Sequence, residues 1–218
     1  EILKNAEYQA QNGMKLVKLV NGTYQEGSGT DYLSVSMLDA YALGDLNADG
    51  VEDAAVVLAE NYGGTGQFEY LVPVFFIEGG AVLPSSGIFL GDRVKVNSMS
   101  ISTGVITLDM LVHAPNDGLC CPSLSMTQSY RFYSGPGLTM VRATSGTGTA
   151  VREIKIELPA AGSEVTRKIQ IKGSVSIAPF ENTLKVIITD SNYGPIYDGP
   201  ITVTAADMGA PGTFDVVI

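Results

Sequence analysis

The chain has 218 residues, 45% hydrophobic and 17% charged, with a formal net charge of −10. That length holds one large domain or two small ones, and that balance excludes a disordered chain. No apolar run is long enough to span a bilayer, and the negative charge disfavours nucleic acid and anionic membrane surfaces as partners.

The first eleven residues have room for one or two helical turns. "QNGM" (Gln11–Met14) and "VNGT" (Val20–Thr23) then carry the Asn-Gly pair favoured in tight hairpins. From there the pattern predicts strands: "VSMLDAYAL", "DAAVVLAENY", "FEYLVPVFFIE", "RVKVNSMSI", "GVITLDMLV", "SYRFYSG" and "GLTMVRA". Each is short, rich in Val, Ile, Tyr, Phe and Thr, and bounded by Gly, Asn, Asp or Pro. "FEYLVPVFFI" is continuously apolar, so it reads as a strand buried on both faces. Its Pro73 lacks an N–H and argues for an edge position or a bulge. "RVKVNSMSI" alternates with one irregularity between Val96 and Ile101. "YGGTGQF" (Tyr62–Phe68) lacks the glycine spacing and the Lys of a phosphate loop and reads as a hairpin turn.

One loop stands out. "GDLNADGVED" places Asp45, Asn47, Asp49 and Asp53 around Gly50, in a span from Lys18 to Arg93 with eleven acidic residues and no intervening Lys or Arg. Crowded carboxylates repel, and a divalent cation would offset them. Calcium takes six to eight oxygens, which alternate oxygen-bearing side chains on a tight loop can supply. An EF-hand fails here, because position twelve counted from Asp45 is Val56, not Glu. The remaining D-x-N-x-D-G-x-x-D pattern resembles the calcium loop of FG-GAP repeats. That resemblance implies side-chain ligands at Asp45, Asn47, Asp49 and Asp53, with the carbonyl of Val51. The motif occurs once, so the resemblance covers the loop and not a propeller. The competing reading is an Asx-turn loop with no ion, since Asp and Asn favour turns by themselves.

"HAPNDGLCCPS" holds the only His, His113, and both cysteines, Cys120 and Cys121. Adjacent cysteines do not converge on one tetrahedral ion, and His113 adds only one more ligand. A cysteine nucleophile with His113 as base lacks any further recognisable part. A vicinal Cys120–Cys121 disulfide suits the Asn-Asp-Gly and Pro122 turn residues. Bridges to another chain, or two reduced buried thiols, stay open. Either disulfide reading requires an oxidising, extracytoplasmic setting. His113, at the end of an apolar strand, reads as a loop hydrogen-bonder.

"ATSGTGTA" is small and Gly-rich, and residues 146–152 read as a linker between an acidic β-rich domain (1–145) and a second module (153–218). The first carries 15 acidic and 7 basic side chains, whereas 146–218 carries 8 and 6. The second module shows short strands with Pro/Gly turns. Its "I-x-LPAAGSEV" (Ile156–Val165), "IQIKGSV", "PFENTLKVIITD", "GPI" and "GTFDVVI" resemble the immunoglobulin-like domain of bacterial spore-germination and other exported bacterial proteins. That domain usually continues with another pair of strands, so the resemblance implies a module incomplete at Ile218 or completed from elsewhere. An open sandwich edge invites strand addition. In the first domain, "YALGDLNADGVEDAAVVLAENYGGTGQFEYL" and "GDRVKVNSMSI" resemble uncharacterised domains of bacterial envelope lipoproteins, which implies a location and no activity. Any export signal or lipid anchor is expected to have been removed or to lie outside this numbering, and a membrane is expected as a partner only through such an anchor.

Other features have plain explanations. Asn21-Gly22-Thr23 fits the N-glycosylation pattern but is also a turn. Asp53, Glu60 and Glu69 could include a glycosidase-type carboxylate pair, yet solvated carboxylates are the default. The ten tyrosines read as core or sheet-face residues. The expectation is therefore an all-β protein, an antiparallel N-terminal domain followed by an immunoglobulin-like β-sandwich. The expected function is a calcium-stabilised, non-catalytic, extracellular or cell-surface module that binds a protein partner or itself by strand exchange. The alternative is a metal-dependent extracellular hydrolase.

Overall fold

Alternating side chains and Gly/Asn/Asp breaks make nearly every regular element a strand, and the fold is all-β and antiparallel. The computed structural model describes residues 1–10, 15–77, 82–114, 116–133, 137–145, 151–160, 163–190, 195–207 and 209–218. The chain divides into two compact units, Glu1–Met140 and Val141–Ile218. The Asn-Gly turn expected at Gln11–Met14 and most of the expected linker (146–150) lie outside the described residues.

The first unit opens with one 3₁₀ turn, Leu3–Asn5, within the one or two helical turns expected there. Tyr8 and Ala10 then alternate into the core, so the chain becomes strand: β1 (Glu7–Ala10) pairs with β2 (Lys15–Lys18). The main sheet runs β3 (Thr23–Glu26), β4 (Leu33–Gly44), β5 (Asp53–Asn61), β6 (Phe68–Phe76) and β7 (Val82–Pro84), with β8 (Ile88–Asp92) also on β6. The Asn-Gly turn before β3 forms as expected. Asn21 and Gly22 both have positive φ (53° and 86°), the pairing a type I′ turn demands. A second sheet contains β9 (Lys95–Ser102), β10 (Val105–Val112), β11 (Leu124–Tyr133) and β12 (Gly137–Ser145). The irregularity in "RVKVNSMSI" is a bulge: Asp109 pairs with Ser98 and Met110 with Val96, leaving Asn97 extra.

β5 is buried along both faces. Ala54, Val56 and Leu58 pack with Tyr8, Val17 and Leu19 of the β1–β2 region, while Ala55 packs with Leu71, Ile106, Leu108 and Tyr130. Pro73 needs a correction. β6 is a central strand, with β5 on one side and β7 and β8 on the other. The proline sits where that second side changes partner, between Val74↔Pro84 and Leu71↔Ile88, so its missing N–H costs no ladder bond there.

The end of β12 pairs with β13 (Val151–Arg152), so the last two residues assigned to the linker are strand. The second unit has one sheet in the order β14 (Ile154–Leu158), β15 (Gln170–Val175), β19 (Gly212–Val217), β18 (Thr204–Ala205). A second, two-stranded sheet joins β16 (Thr183–Thr189) and β17 (Pro195–Thr202). Ile171, Val175 and Phe214 from the first and Ile201 from the second share one core, joined by Leu184, Val186 and Ile188, which makes a sandwich.

Candidate functional site

The acidic loop joins β4 to β5 and begins where Gly44 faces Asp53 across the ladder. Gly44 must be glycine: a Cβ there would lie 2.6 Å from Cγ2 of Ile101. Leu46 anchors the loop by inserting into the core beside Ala55 and Leu71. Gly50 takes a positive φ of 84°, which permits the reversal.

The loop's side chains cap its own backbone. Asp45 accepts N–H bonds from Ala48 (2.7 Å) and Gly50 (3.0 Å). Asn47 Oδ1 accepts from the N–H of Asp49 (3.0 Å). Asp49 accepts from the N–H of Val51 (2.7 Å) and the amide of Asn47 (2.9 Å). Asp53 turns inward, is fully buried, and accepts from the N–H groups of Leu46 (3.0 Å) and Phe76 (3.2 Å). It therefore ties the loop to the end of β6. Among the described residues, no Lys or Arg forms an ion pair with these three carboxylates. Arg131 instead donates to the carbonyl of Thr103 (3.3 Å). Burial first, then the charges of Asp49 and Asp45, push the Asp53 carboxyl above its ordinary value against the two backbone bonds.

The donor set suits calcium in kind, being hard oxygens with excess negative charge. As arranged, no group of three or more His, Cys, Asp or Glu side chains converges for a metal among the described residues. Asp53 points into the fold, Asp45 is half-buried and Asp49 lies on the exposed turn.

Glu60 and Glu69 also need a correction, since with Asp53 they are fully buried rather than solvated. They do not pair. Glu60 follows Leu58 on one face of the sheet, and Glu69 precedes Leu71 on the other. Glu60 accepts the hydroxyl of Tyr62, whose phenol is held above its ordinary value by burial and by that carboxylate. Glu69 accepts from Gln67 Nε2 (2.8 Å) and the N–H of Val94 (3.1 Å), and burial raises its carboxyl. Strand phase carries the signal: Glu60 continues the Val56, Leu58 series.

These shifts have a sign. Asp53 and Glu69, raised when folded, contribute stability that is fully present below the ordinary carboxylate range and lost as pH rises through their folded values. Asp92, lowered chiefly by Arg93, contributes stability that is present above that range and lost as pH falls through its folded value. Glu69→Gln is expected to flatten the pH profile between the ordinary carboxylate range and neutrality, read as urea midpoints. An unchanged profile means Glu69 titrates alike in both states.

Cys120 and Cys121 are bridged to each other, with Cα atoms 3.7 Å apart, and both are exposed. Neither sulfur is a free thiol. Asp117, the acidic member of the Asn-Asp-Gly turn, holds the loop: it accepts from the N–H of Ala114 (2.8 Å) and from the N–H (2.7 Å) and hydroxyl (2.8 Å) of Ser123. His113 acts as the expected hydrogen-bonder, Nε2 donating to the carbonyl of Asp92 (3.1 Å). No protein-family model matches the chain, and no curated protein or solved structure is significantly similar to it.

Proposed function

We propose that this chain is a non-catalytic, exported bacterial surface module that recognises a protein partner, or a second copy of itself, through the open edge of its C-terminal unit. The observation that supports this is β14. Ile154 and Ile156 pair with Val175 and Gly173, on the core-facing side of the sheet, yet they are 55% and 61% exposed. Among the described residues β14 has one neighbouring strand, β15, so its other edge is unpaired. An apolar edge strand of this kind is a template for strand addition. The ladder slips after Ile156, which confines regular pairing to the start of β14. The bridged cysteines support an oxidising, extracytoplasmic location.

The test is sedimentation or light scattering at native concentration. The parent is expected to self-associate or to take up a strand-bearing partner, and Ile154→Lys/Ile156→Lys to run as a folded monomer. The variant's melt should shift little, because both side chains are exposed. A parent that stays monomeric with and without reductant, and binds nothing at this edge, contradicts the reading.

The proposal includes calcium on the β4–β5 loop, held by side chains of Asp45, Asn47, Asp49 and Asp53 and the carbonyl of Val51. Three carboxylates without a basic partner support it. The ion would supply the missing positive charge and nothing catalytic. The self-capped hydrogen bonds favour a second reading, an Asx-turn scaffold that needs no ion.

A further inference from the structure

We propose that the Cys120–Cys121 bridge is a thiol-exchange site, a solvent-facing disulfide that a thiol opens, and that the oxidised thiol pair recloses in the reverse exchange, while the protein stays folded. The proposal concerns the first unit and does not depend on the strand-edge reading.

Three observations lead there. The first is that the bridge joins neighbours in sequence. Structural disulfides act largely by closing a long loop in the unfolded chain, and their effect grows with loop length. A bridge between adjacent residues closes almost no loop, so it adds little of that stabilisation. The second is that the surrounding loop keeps its shape by other means. Asp117 ties Ala114 to Ser123, and Cys121 N–H donates to the carbonyl of Gly118 (3.0 Å). None of these bonds uses a sulfur. The third is access. Both cysteines are exposed, next to Leu119 at 69% exposure, and neither belongs to a core cluster. Gly118 sets no side chain against Cys120 Sγ, where a Cβ would stand 3.7 Å away.

The chemistry balances with a thiol as the only co-reactant. A thiolate attacks Cys120 Sγ, a new S–S bond forms to that sulfur, and the Cys120–Cys121 bond breaks. Cys121 leaves as a thiolate and takes a proton. A second thiol attacks the mixed disulfide, releasing the oxidised thiol pair and leaving two cysteine thiols. The protein disulfide has been reduced by two electrons, and two thiols have been oxidised to one disulfide. A small thiol and a cysteine of another protein share this chemistry. The net charge of −10, with Asp117 beside the bridge, disfavours anionic thiols.

The experiment uses the whole oxidised chain at neutral pH. It is exposed to 2-mercaptoethanol or glutathione, quenched at intervals with iodoacetamide and examined by intact mass spectrometry, beside the same chain in urea. The folded chain is expected to gain two carbamidomethyl groups at a rate within about tenfold of the unfolded chain, since access is not limiting. Were unfolding required, the native rate would drop by about 10³-fold or more. Glutathione should be the slower reagent at low salt, with the gap narrowing as salt is added. The reduced, labelled chain should keep its melting midpoint.

Cys121→Ser, which leaves Cys120 alone, separates the two sources. With glutathione disulfide as the oxidant, a stable glutathione adduct marks small-thiol exchange, and a disulfide-linked dimer, formed when a second copy's Cys120 thiolate attacks that adduct and releases glutathione, marks exchange with a protein thiol. If that variant does not fold, the parent's labelling rates decide. The proposal is overturned if the folded parent stays unlabelled while the unfolded chain labels fully, or if labelling removes the folded melt.

Discussion

Gly173→Ala is expected to lower the melting midpoint of the C-terminal unit by roughly 15 °C, leaving the transition of the first unit in place. Gly173 lies in β15 between β14 and β19, paired with Ile156 on one side and Phe214 on the other. A Cβ there would collide with the backbone carbonyl oxygen of Lys155 and come within 2.5 Å of Cζ of Phe214. The phenyl ring could turn only into the core it fills, and the carbonyl belongs to the ladder. Overpacking a fixed core costs about 1–3 kcal/mol, and more where backbone must move. At about 4–8 °C per kcal/mol for a unit of this size, the shift is easily read by calorimetry. It would also strip β14 from the sheet, so the same variant should lose any association that uses that strand. A midpoint within about 2 °C of the parent's would show that β14 and β15 do not pair closely at Gly173.

Asp53→Ala is expected to have the second largest effect, about 2–4 kcal/mol, or roughly 5–15 °C in the first unit. The carboxylate is fully buried, and removing it strands the N–H groups of Leu46 and Phe76 inside the protein. Each unsatisfied buried donor costs about 1–3 kcal/mol. Removing the buried charge returns part of that cost, since burial already disfavours the ionised form. This loss should appear even with chelator, because the two backbone bonds involve no ion, and should be larger with calcium, since the variant also lacks one of the proposed ligands. Asp53→Asn should cost less, as one amide oxygen still accepts while its NH₂ faces the other donor. A Tm drop for Asp53→Ala that appears only when calcium is present would assign Asp53 to the ion rather than to the fold.

The strands were largely legible, and the reasons are local. β9 and β10 announce themselves by alternation, the bulge at Asn97 by a break in it, and the turn before β3 by Asn21-Gly22. What escaped depends on neighbours that the chain's own pattern does not name. Pro73 shows a missing N–H, but only the sheet reveals that the change from β7 to β8 falls there. Glu60 and Glu69 look solvated as residue types, yet the partners that make their burial tolerable, Tyr62, Gln67 and the N–H of Val94, are set by turns and a neighbouring segment. In the β4–β5 loop the spacing of oxygen side chains was readable, and their directions were not. Asp53 faces inward because its register with Gly44 starts β5 and brings it to the N–H of Phe76. The adjacent cysteines could be read as a pair from adjacency alone. The frame that presents them, built on Asp117, could not.

Calcium at the β4–β5 loop is what would make the first unit of the proposed module ion-stabilised. The measurement that tests it most directly is a thermal melt of the whole chain in calcium and in EDTA, beside Asp49→Ala. Asp49 lies on the exposed turn and, among the described residues, bonds the N–H of Val51 and the amide of Asn47 alone, so its loss should disturb the ion-free fold little. Calcium at about a hundred times its dissociation constant adds about 2.7 kcal/mol to the folded state, or roughly 5–10 °C here. The expected result is that rise in the parent and its loss in Asp49→Ala, with equal midpoints for both proteins in EDTA. Coincident melts of the parent in calcium and in EDTA would contradict the claim and leave the loop as a turn held by its own hydrogen bonds.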